Sequence, residues 1–300
     1  MKIKAIVVSI CVICLITAAC TKIVTKNDLP NFKYKETRQL VEFVRKAASL
    51  VEQKGESAFK ELRSVPWYCG ERYIFVNTLD GVEVLNPAFP EIEGKNLMNL
   101  EDSWGKRIVK NYIREVSSYG RKTEGWTHYL WPKPGSKKES WKTTYVKLVK
   151  SPDGKEYIVG SGLYDMKVEP GFAIDEVNDA CELIEQKGKE AFEIIRAKDR
   201  EFYFKDTYVF VDTMDGFEIV NPQFPSIQNK NIWNLKDTNG KLLVQDYINF
   251  AIKNGQGWVS YMWPKKEGER VVQKRTYVKL VKTPSGNKYV VGCGIYPEGK

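Results

Sequence analysis

Thr144-Tyr145-Val146-Lys147-Leu148-Val149-Lys150 returns residue for residue as Thr276-Tyr277-Val278-Lys279-Leu280-Val281-Lys282. Alternating β-branched, aromatic and long polar side chains read as a strand. The repetition says that what surrounds this strand is built twice. Gly125-Trp126 matches Gly257-Trp258, and Tyr129-Leu130-Trp131-Pro132-Lys133 matches Tyr261-Met262-Trp263-Pro264-Lys265, at the same offset of 132. Further upstream the offset is 135: Tyr73-Ile74-Phe75-Val76 pairs with Tyr208-Val209-Phe210-Val211, Asp80-Gly81 with Asp215-Gly216, and Asn86-Pro87 with Asn221-Pro222. Such a period exceeds a solenoid unit of about 20–50 residues and has the size of a domain, about 100–150 residues. The chain therefore reads as two copies of one domain, residues 36–168 and 169–300, joined near Pro170-Gly171.

Each copy shows the same order of signals. Leu40, Phe43, Val44, Ala47, Leu50 and Val51 recur at helical spacing up to Gly55, echoed by Ile174, Val177, Ala180, Leu183 and Ile184. A β-rich stretch follows, residues 72–78, an Asp-Gly turn and 82–85, closed by Asn86-Pro87. A helix is predicted around Val109–Val116. Three strands finish the copy, at 126–131, 143–150 and 157–164, with counterparts at 258–263, 275–282 and 289–296. The expected fold is α+β: an N-terminal helix on a five-stranded antiparallel sheet, with a helical crossover inside it.

Residues 1–19 have the form of an export signal. Lys2 and Lys4 precede an apolar run from Ala5 to Ile16 that is too short for a stable span. Thr17-Ala18-Ala19-Cys20 then resembles the lipobox of bacterial lipoproteins, in which the cysteine is acylated and becomes the new N-terminus. The expectation is a protein of the bacterial cell envelope, facing the periplasm and anchored through lipid on Cys20. Residues 20–35 are a polar tether, and Thr21 favours outer-membrane delivery. An ordinary signal peptide or an uncleaved anchor is the alternative. The 300 residues carry a net charge of +9, or +7 with 45 basic against 38 acidic residues once Lys2 and Lys4 are removed. The lysines are dispersed among acids and export removes nucleic acid as a partner, so anionic surfaces or small anionic ligands fit the balance better. Three cysteines remain in the mature chain: Cys69, Cys181 and Cys293. Cys181 and Cys293 read as small core residues, with a bridge between them as the alternative, and no spacing suits zinc.

Taken in order, Tyr-x-Phe-Val, Asp-Gly, Asn-Pro, the Asp-x-x-Gly-Lys loop, Gly-Trp-x-x-Tyr-x-Trp-Pro-Lys, Lys-x-x-Tyr-Val-Lys and a final Gly-x-Gly-x-Tyr resemble the single-Cache domain. This is the PAS-like extracytoplasmic sensor module of chemoreceptors and histidine kinases. The resemblance covers about residues 36–165 and 172–297. It implies a small-molecule sensor whose pocket lies against the sheet and often takes short carboxylates. Asn86 and Asn221 stand where many relatives have His before the Pro. The chain shows no membrane helix followed by a kinase or methyl-accepting module, so it is expected to lack an output domain of its own and to act on a separate sensor kinase, chemoreceptor or transporter.

Period-two alternation selects the candidate ligand contacts. Lys142 is in line with Val146 and Leu148, and Lys274 with Val278 and Leu280, where an unpaired ammonium costs several kcal/mol. Each lysine either awaits an anionic ligand, or reaches solvent from the strand's start, or pairs with an acid such as Asp102 or Asp237. Tyr129 with Trp131, and Tyr261 with Trp263, offer pocket walls with polar tips, or else are core aromatics. Tyr73, Asn86 and Tyr145, with twins Tyr208, Asn221 and Tyr277, complete the candidate set. Gly160, Gly162, Gly292 and Gly294 invite a close approach to the last strand, by a helix in preference to a ligand. The single histidine, His128, aligns with Ser260 and reads as a strand surface residue. No nucleophile elbow, metal motif or phosphate loop appears, so catalysis, metals and cofactors are not expected. Two readings remain: a lipid-anchored protein binding a small organic anion, and a structural or interaction lipoprotein whose pockets are filled by side chains.

Overall fold

A computed structural model of the chain describes residues 32–117, 122–197 and 202–297. The signal, Cys20 and most of the tether lie outside them. In the first copy, α1 (Lys35–Lys54) buries Leu40, Val41, Val44, Ala47, Ala48 and Val51, one helical stripe, and stops at Gly55 with φ 58°. A short α2 (Ala58–Leu62) follows. The strands are β1 (Phe75–Thr78), β2 (Glu83–Leu85), β3 (Glu124–Pro132), β4 (Glu139–Lys150) and β5 (Glu156–Tyr164), with α3 (Ile108–Ser117) between β2 and β3. They form an antiparallel sheet in the order β2-β1-β5-β4-β3. The second copy repeats this with α4 (Pro170–Lys187), α5 (Ala191–Arg196), β6 (Thr207–Thr213), β7 (Glu218–Val220), α6 (Leu243–Asn254), β8 (Gln256–Pro264), β9 (Val271–Lys282) and β10 (Lys288–Ile295). Its order, β7-β6-β10-β9-β8, is the same, with Tyr203–Phe204 added beside β6. The α+β, two-copy architecture expected from the repeat is the one observed.

The five sheet strands sit where the patterns placed them, extended by a few residues. One strand signal splits. Arg72–Tyr73 pairs with Tyr68–Cys69 in a small ribbon, while Phe75–Thr78 enters the main sheet. The break falls at Ile74, whose N–H donates to Trp67 O at 3.1 Å. The Asp-Gly turns need their glycines: Gly81 and Gly216 have φ of 89° and 79°, and Met98 and Trp233 occupy the space a Cβ would take.

Both faces of each sheet are covered. Helix α4, with Ala180, Cys181 and Ile184, packs on Val209, Val211, Tyr277, Tyr289, Val291 and Cys293. On the opposite face α6, with Val244, Tyr247 and Ile248, packs on Tyr208, Phe210, Val278 and Val290. Cys181 and Cys293 are thus core residues with free thiols. Among the described residues no helix is long and apolar enough to cross a membrane.

The copies meet through β3. Trp126 and His128 point away from α3 towards the start of α4, where Phe172 lies 4.9 and 4.8 Å from their rings. Phe204 stacks on His128 at 3.8 Å and 11°. His128 is therefore buried and not a strand surface residue. The second copy covers it, whereas its twin Ser260 is exposed among the described residues. Burial among these rings, with Lys106 and Lys205 nearby, holds the imidazole neutral, its pKa well below the ordinary value.

The last residues of the stretch read as a tether are docked. Phe32 is buried edge-on against Trp126 at 5.8 Å. Glu169, 1% exposed just before α4, accepts from Lys33 N at 2.5 Å, Tyr34 N at 3.1 Å and Thr37 Oγ1 at 3.0 Å. One carboxylate thus holds the entry of α1 to the junction of the copies. Hydrogen bonds to a charged group contribute about 1.5–3 kcal/mol. Glu169→Ala, which leaves three donors unmet, should lower unfolding stability by at least about 2 kcal/mol in a urea titration; an unchanged midpoint would remove Glu169 from this role.

Candidate functional site

Among the described residues, each sheet carries a cavity on the face covered by α3 or α6. In the first copy Tyr73 and Phe75 from the strand edge, Glu83 and Asn86 from β2, Tyr112 from α3, and Tyr129, Trp131 and Lys142 from β3 and β4 line about 290 Å³ of space not filled by atoms. In the second copy Tyr208, Phe210, Glu218, Asn221, Tyr247, Tyr261 and Trp263 line about 280 Å³. The room open to a water-sized body is only about 20 Å³ in each, enough for one or two waters.

The lysines are where the alternation put them. Lys142 and Lys274 are each 1% exposed, so neither reaches solvent. Lys142 Nζ donates to Tyr73 Oη at 2.7 Å and lies 4.1 Å from that ring's centre; Lys274 Nζ donates to Tyr208 Oη at 2.8 Å and lies 4.0 Å from its ring. Asp102 and Asp237 are not their partners. Asp102 accepts from Lys106 N and Leu130 N, and Asp237 from Lys241 N and Met262 N, stapling each loop to β3 or β8. Burial without a paired anion pulls each lysine down to about 7, Glu83 or, for Lys274, Cys293, Glu218 and Asp206 opposing that only in part.

The glycines explain how a lysine fits inside a sheet. A Cβ on Gly162 would lie 2.7 Å from Lys142 Cε, and one on Gly294 would lie 2.0 Å from Lys274 Cε. Gly160 and Gly292 lie directly opposite Phe75 and Phe210, whose rings fill the missing side-chain space. The close approach expected at these glycines is made by cross-strand side chains and not by a helix.

Tyr129, Trp131, Tyr261 and Trp263 line the cavities as expected, with Tyr129 Oη 2.8 Å from Thr144 Oγ1 and Tyr261 Oη accepting from Thr276 at 2.9 Å. Asn86 and Asn221 also line them, while holding the turn after β2 or β7 through Phe89 N and Phe224 N. Tyr145 and Tyr277 do not belong to the site. They fall on the opposite sheet face: Tyr145 lies against Trp126 at 4.7 Å, and Tyr277 lies in the α4 core. Their odd-numbered register relative to Lys142 and Lys274 already carried that information.

The sequence reading missed the acids. Glu83 is 3% exposed and accepts from Asn77 Nδ2 at 2.6 Å and Asn86 Nδ2 at 2.8 Å; desolvation raises it to about 8. Glu218 is 2% exposed and accepts from Asn221 Nδ2 at 2.7 Å, with Asp212 taking the place of Asn77. The signal was available, because Asn77 and Asp212 continue the alternation of Tyr73-Phe75 and Tyr208-Phe210. Tyr112 and Tyr247 were also missed, since only α3 and α6 packing brings them in.

The family model described as Cache domain matches residues 22–171 and again 173–298. Over 107 residues the chain is 32% identical to the methyl-accepting chemotaxis protein McpP of Pseudomonas putida, covering 35% of this chain and 18% of that protein's length. A solved periplasmic sensor domain of a chemotaxis protein is 29% identical, covering 44% of this chain and 99% of that one, with a TM-score of 0.37. A Cache chemosensory domain, solved to show how it recognises carboxylic acids, is 27% identical over 44% of this chain and 94% of its own, with a TM-score of 0.38.

The lysine shift has a sign that can be measured. In the unfolded chain Lys142 keeps its proton up to the ordinary value of 10.5, whereas in the fold it releases it near 7. Between those values the unfolded state binds more protons, so this group lowers stability as pH falls. Lys142→Met should melt above wild type at pH 7, and the gap should narrow towards pH 10. A lower melting point at pH 7 would show the lysine paired and stabilising.

Proposed function

The chain belongs to the Cache domain family, and on that premise we propose that it is a lipid-anchored, periplasm-facing receptor for a small organic anion, a short carboxylate. The observation that carries this reading is Lys142, an ammonium sealed in an aromatic-walled cavity with a phenol and no hydrogen-bonded carboxylate as its partner. Such a group costs free energy in the empty protein and gains most from an anion that enters. Trp131, Phe75 and Tyr129 line the space beside Lys142 and would meet the alkyl part of a small ligand. Glu83, raised to about 8, is largely neutral at pH 7 and so does not oppose an incoming anion. Binding then acts on a separate sensor kinase, chemoreceptor or transporter. Lys2, Lys4, the apolar run and Ala18-Ala19-Cys20 support anchoring through Cys20, with the outer membrane as destination.

Calorimetry of the signal-free protein with propionate tests the reading. Lys142→Met should weaken binding to the first copy roughly tenfold to a hundredfold, the worth of a charge-assisted hydrogen bond. Affinity should rise as pH falls towards about 7, because binding draws a proton onto Lys142, and should level off below that. The small free volume favours a second reading, a structural lipoprotein with filled pockets; absence of any heat or melting shift with propionate would select it. For the anchor, Cys20→Ser should release the protein from the membrane fraction or leave it uncleaved. Normal processing with unchanged membrane association would remove Cys20 as the lipid site.

A further inference from the structure

The two cavities share their tyrosines, tryptophan, glutamate and asparagine, and in each copy a buried lysine is bonded to the lining tyrosine; beside the shared glutamate one buried polar position differs. In the first copy Glu83 accepts an amide N–H on each oxygen, from Asn77 at 2.6 Å and Asn86 at 2.8 Å. In the second, Asn221 still donates to Glu218 at 2.7 Å, but Asp212 replaces Asn77 and has no N–H to give. A donor is lost and a second carboxyl is gained, both within the fold, with Asp212 0% and Glu218 2% exposed. The neighbouring tyrosine responds. Tyr112 donates to Tyr129 in the first copy, whereas its twin Tyr247 donates to Asp212 Oδ2 at 2.5 Å. Asn77 Oδ1 and Asp212 Oδ1 both lack a protein hydrogen bond, but at Asp212 the orphan is a carboxylate oxygen.

We infer that the second copy takes a short zwitterion, a ligand carrying an ammonium as well as a carboxylate, where the first takes a plain carboxylate. This rests on the reading that each pocket holds a carboxylate beside its buried lysine, a handle both copies retain in Lys274–Tyr208 and Lys142–Tyr73. The ammonium supplies the N–H donors and the positive charge that the Asp212–Glu218 end lacks. Asp212 and Glu218 lie against each other, and burial first of all raises both groups. A plain carboxylate brings neither donor nor cation and adds a third acid to this cavity.

Calorimetry on the signal-free, two-copy protein separates the sites, with propionate, L-alanine and propylamine as probes of similar size. In a Lys142→Met background, which weakens the first site, the remaining site should bind L-alanine at least about tenfold more tightly than propionate. In a Lys274→Met background the order should reverse. Adding Asp212→Asn to the first background should abolish the preference for L-alanine; adding Asn77→Asp to the second should create one, and it decides the matter if Asp212→Asn does not fold. Equal affinities with no response to either exchange, or binding of propylamine but not L-alanine, would overturn the inference. Failure of propionate in the Lys274→Met chain, with L-alanine still bound by the Lys142→Met chain, would sink the carboxylate reading of the first copy and leave the second-copy inference standing.

Discussion

A five-stranded sheet has two apolar faces, and each copy seals them unequally. On one face a helix of 20 or 18 residues, α1 or α4, lies along the strands and buries a continuous stripe. On the other, a shorter helix of 10 or 12 residues shares the work with the loops between β2 and α3 or β7 and α6. Close packing is easily achieved by the long helix. The composite cover leaves a seam, and both cavities lie in it. The site thus follows from which face lacks a full-length helix.

Into that seam the sequence places groups of opposite sign that cannot both be content without help. Lys142 is drawn towards neutrality and Glu83 is raised to about 8, so the empty first pocket hovers near the point where neither carries a full charge. Burial that costs stability leaves these groups poorly satisfied, a common arrangement at functional sites. Beside the second cavity Glu218 is joined by a second buried acid, Asp212, where the first copy has Asn77. That Asn-to-Asp difference between copies changes a donor into an acceptor.

Much of this was legible in the chain. Repetition gave every element a twin, and period-two alternation placed Lys142, Lys274, Tyr129, Trp131, Tyr261 and Trp263 on the correct face. The same rule, applied without exception, would have removed Tyr145 and Tyr277 and admitted Asn77 and Asp212. What alternation does not encode is the side chain lying over a glycine of the next strand, as Lys142 does over Gly162. Nor does it encode contacts between copies. His128 looked like a surface residue because the ring that covers it, Phe204, lies 76 positions later and belongs to the other domain.

The Glu169 junction gives the molecule a mechanical character. A pull arriving along the chain from residue 31 does not first unwind α1, because Phe32 is wedged beside Trp126 and the next two backbone amides are gripped by a carboxylate of the linker that leads into α4. The load passes to the midpoint of the chain, where both domains share it. The same clasp couples the two domains, because releasing Glu169 frees the start of α1 and the linker into α4 together.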